Sequence, residues 1–521
     1  MDSFVKVHED AVIGTLSTFD RLVLKGHLSG LYPRGNFSVF LLRQGVLLKD
    51  FKSYAMAVTE KLKSHAMRLA QQAGRPFEYL ESATTKRQGE SKEDRARRIA
   101  ERDGIEEGLV CVFSVLEPCR AFTVRGNRET HRLEAVRRST KCLHFYFYWM
   151  DPEFGLMHVR LQSWLPFEIQ VWVNGREWLA RQLDREGIGY VRLANTFLRI
   201  DNLARAQALC ERFARRKWPR TLDALARKVN PLMRLLTRFG VEDYYWVVDQ
   251  AEYATDVMFK DRRSLEAIYP ALVEHAMTVF GAEDIFRFLG RRLNGNFRGE
   301  VTSDLKRRVE GRRVKHRMKR NSLKMYDKGS VLRVETTINN PNEFRVLRRI
   351  LSGTGRITWR WMPMTKGMAN LWRYHQVALQ SNGRYLEALA YAQPKGEAIR
   401  ELDRLCRPRV VRGTRYARFN PVTTRDCTLF EAVLAGEHAI RGFRNRDLQA
   451  HLFPSPARSR AERLRRGERV SRHIAKLRGH GLVAKVKGSR LYRPTSRGLR
   501  LMTVAVQYRN NLFPVSLMAA A

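Results

Sequence analysis

The strongest constraint on the fold is an apolar helix pattern near the C-terminus that runs directly into a hairpin pattern. Within residues 463–479, Val470, Ile474 and Leu477 recur at i, i+4 and i+7, which places them on one helical face. Gly479-His480-Gly481 then favours a helix stop. The segment therefore predicts an amphipathic helix whose apolar stripe packs into a small core.

The surrounding patterns complete an order of three helices, a hairpin and a final helix. Helices are predicted over residues 429–435 and 445–452 and from Ser496 onwards, and short strands over residues 482–486 and 490–494. Residues 470–483 resemble the recognition helix and first wing strand of MarR-like regulators, and residues 492–498 resemble the second wing strand. The resemblance implies a winged-helix domain over residues 421–521.

The cations of this segment suit a nucleic-acid surface. Residues 457–500 contain 15 Arg or Lys and 2 Asp or Glu. The candidate contacts lie off the apolar stripe, where helix side chains can enter a major groove and hairpin side chains can hold phosphates: Arg469, Arg472, Lys476, Lys485, Lys487 and Arg490. A winged helix used for protein contacts is the alternative. MarR-like regulators are small, whereas more than 400 residues precede this domain.

The whole chain is strongly basic. It has 96 Lys and Arg against 53 Asp and Glu, a formal net charge of +43. Such a charge costs self-repulsion in the folded state, and release of condensed counterions makes nucleic acid the expected partner, with DNA favoured and RNA possible. Because 44% of residues are hydrophobic, we expect folded domains rather than a disordered basic tail.

Several absences narrow the location and the chemistry. The six cysteines are scattered without zinc spacing, which is typical of a reducing compartment. The N-terminus has no signal pattern, and no apolar run approaches the roughly 20 residues that span a bilayer. No P-loop, GxGxxG, HExxH, GxSxG or EF-hand pattern occurs. We expect a cytoplasmic or nucleoid-associated protein without a membrane partner; the oligomeric state stays open.

Alternating helix and strand patterns predict a multidomain, mixed α/β (α+β) protein in three parts. Residues 1–218 form an N-terminal α/β domain. Residues 219–420 form a mostly helical basic domain with a strand near 330–339. Residues 421–521 form the winged-helix domain.

An aromatic hairpin is predicted over residues 142–164. Period-2 alternation places Tyr146 and Tyr148 on one face, and Arg160 on the facing strand. If the strands align, aromatic and cationic groups share a surface of the kind on which unpaired bases stack. Core packing is the alternative, and the same two interpretations apply to Trp359-Arg360-Trp361.

A basic segment occupies residues 305–320. Nine of its sixteen residues are Arg or Lys, with one glutamate. Solvated helix faces usually mix the two signs, so we interpret the segment as an element that binds the nucleic-acid backbone. Its candidate contacts are Lys306, Arg307, Arg308, Arg312, Arg313, Lys315, Arg317, Lys319 and Arg320.

The next residues resemble a segment of replication initiation factors of plasmids and filamentous phages. Lys324-Met325-Tyr326-Asp327-Lys328 is followed by a strand that carries Arg333 and Glu335. The resemblance implies nicking chemistry, with Tyr326 as nucleophile and Glu335 as metal ligand. Flanking cations are expected to favour the phenolate of Tyr326. Such nickases usually carry two histidines one residue apart, whereas His144-Phe145-Tyr146 offers one.

Other carboxylates are candidates for a nuclease site that would use Mg²⁺. Asp20 follows a predicted strand, and Asp249, Glu252 and Asp256 lie at i, i+3 and i+7, on one face if that segment is helical. An exposed acidic stripe has the same spacing. The sequence does not select a particular triad.

Three hypotheses follow. The first is a DNA-acting protein of a mobile or replicating element, of the initiator or recombination type. The second is binding without catalysis, as a large transcriptional regulator or as the protein part of an RNA–protein complex. The third is a metal-dependent nuclease.

Overall fold

The structure is a computed structural model that describes residues 1–512, apart from residues 34, 82–89, 292–299, 309–310, 352–356, 393–394 and 487. The chain divides into two compact units, Met1–Ala392 and Gln393–Ala521. The predicted boundary at 218/219 is wrong because strands from both sides of it pair in one sheet. The predicted boundary at 420/421 lies inside the second unit.

The first unit combines many strands with helices on their surfaces. Its helices are α1 Asp2–Val7, α2 Asn36–Arg43, α3 Phe51–Gln72, α4 Lys92–Arg102, α5 Gly175–Arg185, α6 Leu203–Ala214, α7 Pro219–Val229, α8 Met233–Arg238, α9 Arg262–Thr278, α10 Ala282–Phe288 and α11 Leu371–Leu389. Single 3₁₀ turns lie at Ser29–Leu31, Leu48–Asp50, Pro341–Glu343 and Met368–Asn370.

Fifteen strands belong to this unit in the described ranges. They are β1 Val12–His27, β2 Phe77–Leu80, β3 Gly108–Gly126, β4 Leu133–Asp151, β5 Gly155–Gln162, β6 Ile169–Asn174, β7 Tyr190–Leu193, β8 Thr196–Ile200, β9 Tyr245–Phe259, β10 Val301–Arg308, β11 Gly311–Met318, β12 Asn321–Asp327, β13 Val331–Ile338, β14 Arg345–Leu351 and β15 Ile357–Pro363. The predicted strand near 330–339 is confirmed, but the expectation that residues 219–420 are mostly helical is wrong.

Eleven of these strands form one mixed sheet. The order is β10-β11-β12-β13-β9-β1-β6-β5-β4-β3-β2, with β2 parallel to β3 and the other neighbours antiparallel. The long strands β1 and β9 pair along their whole lengths at the centre. Strands β7–β8 and β14–β15 form separate two-stranded hairpins.

The two sides of the sheet repeat one arrangement. In each half a long strand is followed by helices and then by a four-stranded meander whose last strand returns beside the long strand, as β6 does beside β1 and β13 beside β9. Antiparallel pairing of β1 with β9 joins the halves. The sequence shows no repeat of fixed period because the halves share an order of elements rather than residue spacing.

One large apolar core supports the sheet. Helix α3 packs against β3, α6 against β1, and α11 against β9 and β13. On β13, Leu332, Val334 and Ile338 point into this core, while Thr336 donates a hydrogen bond to Asn382 of α11. Because side chains alternate along a strand, Arg333 and Glu335 point to the opposite face.

The second unit contains six helices and four short strands in its described residues. These are α12 Lys395–Leu405, β16 Arg409–Val411, β17 Thr414–Tyr416, α13 Thr424–Leu434, α14 Gly436–Arg441, α15 Asn445–Leu452, α16 Arg460–Gly479, β18 Val483–Lys485, β19 Tyr492–Pro494 and α17 Ser496–Gln507. A single π-helical turn, Tyr508–Leu512, follows.

Local signals predicted this unit closely. The helix at residues 445–452 and the long helix that ends at Gly479 are confirmed, as are the two strands of the hairpin. Val470, Ile474 and Leu477 are buried in one core with Phe430 and Met502. No helix in the described parts of the chain is both long enough and apolar enough to cross a membrane.

Candidate functional site

Three carboxylates lie close together on the face of the eleven-stranded sheet that carries Arg333 and Glu335, opposite the large apolar core. We call this the polar face of the sheet. Asp20 lies on β1, Glu252 on β9 and Glu335 on β13, and one oxygen of each lies within 4.8 Å of the others. The register explains the meeting, because Glu252 pairs with Arg21 on one side and with Thr337, two residues beyond Glu335, on the other. We call Asp20, Glu252 and Glu335 the carboxylate triad.

Asp20 reaches the triad through an irregularity in β1. Phe19 pairs with Tyr253 and Arg21 with Glu252, so Asp20 is an extra residue between consecutive pairs. A bulge of this kind redirects a side chain from the face that strict alternation would give it. Asp20 therefore shares the polar face with Arg21.

Lys324 of β12 neutralises part of the triad. Its Nζ lies 2.5 Å from Glu335 Oε1 and 3.6 Å from Glu252 Oε1. Burial is the main cause that raises the pKa of Glu252, and the nearby Glu335 carboxylate is the second. The crowded oxygens are hard ligands of the type that Mg²⁺ and Mn²⁺ prefer, so the triad has the donor chemistry to hold a divalent cation.

A buried ionic network lies beside the triad. Arg333 Nε donates to Asp256 Oδ1 at 2.8 Å, and Arg176 Nη1 donates to Asp256 Oδ2 at 2.6 Å. Arg176 Nε also donates to Asp20 at 2.9 Å. Burial opposes ionisation of Asp256, but Arg176 and Arg333 hold its pKa below the ordinary value. Each carboxylate oxygen of Asp256 therefore already accepts from an arginine, and we do not count Asp256 as a metal ligand.

Gly175 places Arg176 in this network. Asn174 caps α5 by accepting from the backbone N–H groups of Arg176 and Glu177. The start of the helix lies so close to β1 that a Cβ at Gly175 would lie 2.2 Å from the carbonyl oxygen of Phe19. A glycine is therefore required where the chain turns from β6 into α5.

The predicted acidic helix face is wrong. Residues 249, 252 and 256 lie on β9, and Asp249 is skipped in the pairing that joins Val23 to Gln250 and Leu24 to Val248. Its carboxylate accepts from Lys366 Nζ at 2.7 Å. Of the sequence candidates, the structure brings together Asp20, Glu252 and Glu335, and places Asp256 in the adjoining network.

Tyr326 lies on the same face as the triad. On β12 it pairs with Arg333, while Lys324 pairs with Glu335. The expectation of a phenolate is wrong for this arrangement, because burial and then the Glu335 carboxylate raise the pKa of Tyr326. Lys324 is bound to Glu335, and Lys328 lies over the phenol ring, 5.3 Å from its centroid.

The basic segment is the hairpin of β10 and β11. In its register, Lys306, Arg313, Lys315 and Arg317 follow the polar face beside the triad. Arg307 and Arg312 point to the opposite face, and Arg312 lies over the Tyr269 ring. Lys319 and Arg320 lie in the turn that follows β11. The Arg308 side chain lies outside the described residues.

The aromatic hairpin has the predicted register but not the predicted exposure. Tyr146 pairs with Arg160 and Tyr148 with His158. Both tyrosines are buried, at 8% and 2% exposure, in a small apolar cluster that includes Ile99 of α4. Tyr146 donates to Glu117 at 2.7 Å. The interpretation of Tyr146 and Tyr148 as a stacking surface is therefore wrong, and core packing describes them.

Exposed aromatics occur instead on the β14–β15 hairpin. Trp359 and Trp361 are 62% and 52% exposed, and both lie on one face of β15. Arg349 and Arg373 lie beside their rings, with the guanidinium carbons 6.0 and 5.3 Å from the ring centroids. This tryptophan pair has the exposure that a stacking surface for unpaired bases requires.

Two basic grooves flank α16 in the second unit. The first, of about 440 Å³, is lined by residues that include Arg444, Arg446, Arg478, Lys485 and Arg490. The second, of about 730 Å³, is lined by residues that include Arg415, Arg418, Arg425, Arg469 and Arg472. Sequence reasoning missed the arginines that precede α16, and the signal that could have found them is the charge run over residues 407–425.

The residues predicted to contact nucleic acid in this unit differ in exposure and in their partners. Arg469 and Arg472 are exposed on α16, and Lys485 and Arg490 line the first groove. Lys476 is half-buried, with its Nζ 3.3 Å from Asp426 and 3.8 Å from the centroid of the Phe419 ring. Lys476 lines the second groove, where Asp426 and Phe419 hold its side chain. Lys487 lies outside the described residues.

A different set of ligands occurs on α14 and α15. Glu437, His438 and His451 bring one ligand atom each within 4.8 Å of the others. His451 Nε2 lies 2.9 Å from Glu437, and His438 Nδ1 lies 2.7 Å from the carbonyl oxygen of Ala432. Imidazole ligands suit zinc more than magnesium, so this cluster differs in chemistry from the carboxylate triad.

No model of a known protein family matches the chain, and no curated protein or solved structure matches it either. The function is therefore inferred from the residues of the chain itself.

Proposed function

We propose that this chain is a metal-dependent DNA-nicking enzyme of a mobile or replicating element, of the replication-initiator type. The observation that carries the proposal is the convergence of Asp20, Glu252 and Glu335 from three adjacent strands. Tyr326 shares their face, and the chain carries a net charge of +43.

The triad would hold Mg²⁺ or Mn²⁺ through its carboxylate oxygens. A bound divalent cation stabilises the charge that develops on a phosphodiester during transfer. Lys324 and Arg21 neutralise the triad before a cation arrives, since each lies within 4.0 Å of a triad carboxylate.

Tyr326 is the proposed nucleophile. Its hydroxyl oxygen would form a bond to phosphorus while the bond from phosphorus to one sugar oxygen breaks. The proton that the phenol loses balances the proton that the departing sugar oxygen gains. Because burial and carboxylates disfavour the phenolate, a cation on the triad would lower the cost of ionising the tyrosine.

The remaining basic surfaces would bind the DNA. The cations of β10 and β11 that lie on the polar face would contact phosphates near the triad, and the tryptophan pair would stack on unpaired bases. In the second unit the order of helices and hairpin supports a MarR-like winged helix. There α16 would enter a major groove of duplex DNA, with the two basic grooves beside the strands.

Incubation of the purified chain with labelled single-stranded DNA and Mn²⁺ tests this proposal. We expect a cleaved strand and a covalent protein–DNA adduct. Tyr326→Phe should abolish the adduct, and Glu335→Gln should abolish adduct and cleavage together. Glu283→Gln, which removes a carboxylate on the surface of α10, is the matched control and should keep both. Cleavage that survives Tyr326→Phe without an adduct would instead indicate hydrolysis at the triad.

A second candidate function is binding without catalysis, either as a large regulator or as the protein part of an RNA–protein complex. The observation that favours it is charge balance, because Asp20, Asp256, Glu252 and Glu335 face Arg21, Arg176, Arg333 and Lys324. Such a network is stable without a cation. Absence of cleavage with every nucleic acid that the chain binds would favour this function.

A further inference from the structure

A polar pocket lies away from the triad and is lined by residues of β1, β3, β4, β5 and β6. It encloses about 310 Å³. The charged residues that line it come from four strands and one loop: Lys25, Arg120, Arg137, Arg160 and Glu168. Four cations therefore face one carboxylate, a balance opposite to that of the triad.

The acidic partners of these cations neutralise only part of their positive charge. Glu168 binds Lys25 Nζ at 2.6 Å and also pairs with Arg137. Arg160 pairs with Glu117 at 3.2 Å. Arg120 is exposed and forms no hydrogen bond or ion pair with the described part of the chain. One acid in the wall thus cannot neutralise the pocket.

Two guanidinium N–H groups of the pocket are also unsatisfied. The Nε atoms of Arg137 and Arg160 are buried, and neither finds an acceptor among the residues that the structure describes. A buried donor without an acceptor is costly, more so on a charged group. An oxyanion in the pocket would accept from these donors, and Arg side chains suit phosphate in particular.

The sheet register connects the pocket to the triad. Lys25 pairs with Gln170, which pairs with Arg160. Arg21, which pairs with Glu252, lies four residues earlier on the same strand, a separation of about 13 Å at the usual rise per residue. A strand of a few nucleotides spans such a distance.

We infer that this pocket binds a backbone phosphate of the single DNA strand whose scissile phosphodiester lies at the triad. The inference rests on the proposed nicking function and adds a strand path: from the triad, along β1, to the row of Lys25 and Arg160. The pocket would fix the distance between the cleavage point and a phosphate a few nucleotides away.

Binding of a fluorescent 12-nucleotide single strand, measured by anisotropy with EDTA present, tests the inference without cleavage. Arg137→Gln and Arg120→Gln should each weaken binding about tenfold and reduce the salt slope by about 0.7, as loss of one phosphate contact predicts. Arg138→Gln is the matched control, because Arg138 is exposed, follows Arg137 directly on β4 and does not line the pocket. It should weaken binding less than twofold.

Equal weakening by Arg138→Gln would overturn the inference, because net charge alone would then explain the loss. Unchanged binding by Arg120→Gln and Arg137→Gln would overturn it as well. Since the Arg120 side chain forms no hydrogen bond or ion pair with the described residues, its variant keeps the test valid if Arg137→Gln unfolds.

Inorganic phosphate distinguishes the source of the anion. We expect it to raise the melting temperature of the wild-type chain only weakly, and to compete poorly with the strand. Strong stabilisation by free phosphate without strand binding would mean a small-anion site and overturn the inference. Strand binding that needs the pocket, in a chain that never cleaves, would refute the nicking proposal and keep the pocket as a phosphate site.

Discussion

At the scale of single residues, the centre of the protein depends on buried charges that face one another. Asp256 is fully buried and accepts from both Arg176 and Arg333. Neither arginine can be left alone at this depth, because an unpaired buried charge costs far more than a paired one. The network therefore stabilises the meeting of β1, β9 and β13 that brings the triad together.

Replacing Asp256 tests this role. Asp256→Asn should lower the free energy of unfolding by about 3–5 kcal/mol, since it leaves two buried guanidinium groups short of one negative charge. Urea unfolding followed by circular dichroism measures the change. Asp249→Asn, on the same strand but half-exposed and bound to Lys366, should cost less than about 1 kcal/mol. Similar losses for both would contradict the account.

At the scale of elements, local signals predicted some parts of the molecule and missed others. Helix α16 and its hairpin followed from an apolar pattern at i, i+4 and i+7 and from two glycines, signals that act within a few residues. Strand β9 was misjudged because Asp249, Glu252 and Asp256 also fit a helical period. The register of β4 with β5 followed from the turn that joins them. Tyr146 is buried, however, by α4, which lies about fifty residues earlier in the chain.

The triad itself could be predicted only as a set of candidates. Asp20, Glu252 and Glu335 are separated by more than 80 residues at each step. Their meeting depends on which strands pair and on the bulge at Asp20, neither of which a local pattern encodes. Tyr326 and Glu335 were found through a short resemblance, and their common face followed once β12 and β13 were seen to pair.

The β14–β15 hairpin carries a prediction at this scale. Trp359→Ala and Trp361→Ala should each weaken single-strand binding by about 1–3 kcal/mol, the usual cost of losing one stacked base. Because both rings are exposed, stability should not fall. Leu351→Ala, an exposed apolar residue of the same hairpin, is the control for lost hydrophobic surface. Fluorescence titration gives the affinities, and equal effects of all three variants would argue against stacking.

Helix α16 carries a second prediction at this scale, on duplex DNA binding. Arg472→Ala and Arg478→Ala, one from each basic groove, should each lower duplex affinity and reduce the salt slope by about 0.9. Arg463→Ala, exposed at the start of the same helix and outside both groove linings, should leave the slope unchanged. Gel-shift titrations over a range of salt concentrations measure this. A slope that falls equally in all three would mean that α16 has no preferred contact face.

At the scale of the whole molecule, the repeated halves explain where the site lies. Each half ends its meander beside its own long strand, and the long strands pair with each other. The centre of the sheet is therefore the place where residues from both halves meet, with Asp20 from the first half and Glu252 and Glu335 from the second. Arg176 and Arg333 likewise come from opposite halves and share Asp256.

Four histidines, of which His144, His316 and His375 are buried and His158 is partly buried, predict how the first unit responds to acid. Burial lowers the pKa of His144 and His158 to about 3, and the pKa of His316 and His375 to about 4. Unfolded histidine has a pKa near 6.5, so between pH 6.5 and 4 the unfolded chain binds more protons. Stability should therefore fall as pH falls, by about 2 kcal/mol per histidine from pH 7 to 5.

Urea unfolding at pH 7, 6 and 5 checks this slope. His158→Gln should flatten it by about one proton. His131→Gln, at an exposed turn, should leave it as it is. A wild-type stability that does not change between pH 7 and 5 would contradict the burial of these histidines.

The central claim, that Asp20, Glu252 and Glu335 form a cation site, is tested most directly by counting bound Mn²⁺. Electron paramagnetic resonance of free Mn²⁺ gives the number of ions that the wild-type chain and the Glu252→Gln/Glu335→Gln double variant take up. The account predicts that the double variant loses one ion and that Asp249→Asn retains it. Equal uptake by wild type and double variant would contradict the claim, and the charges at the centre of the sheet would then be a network of ion pairs alone.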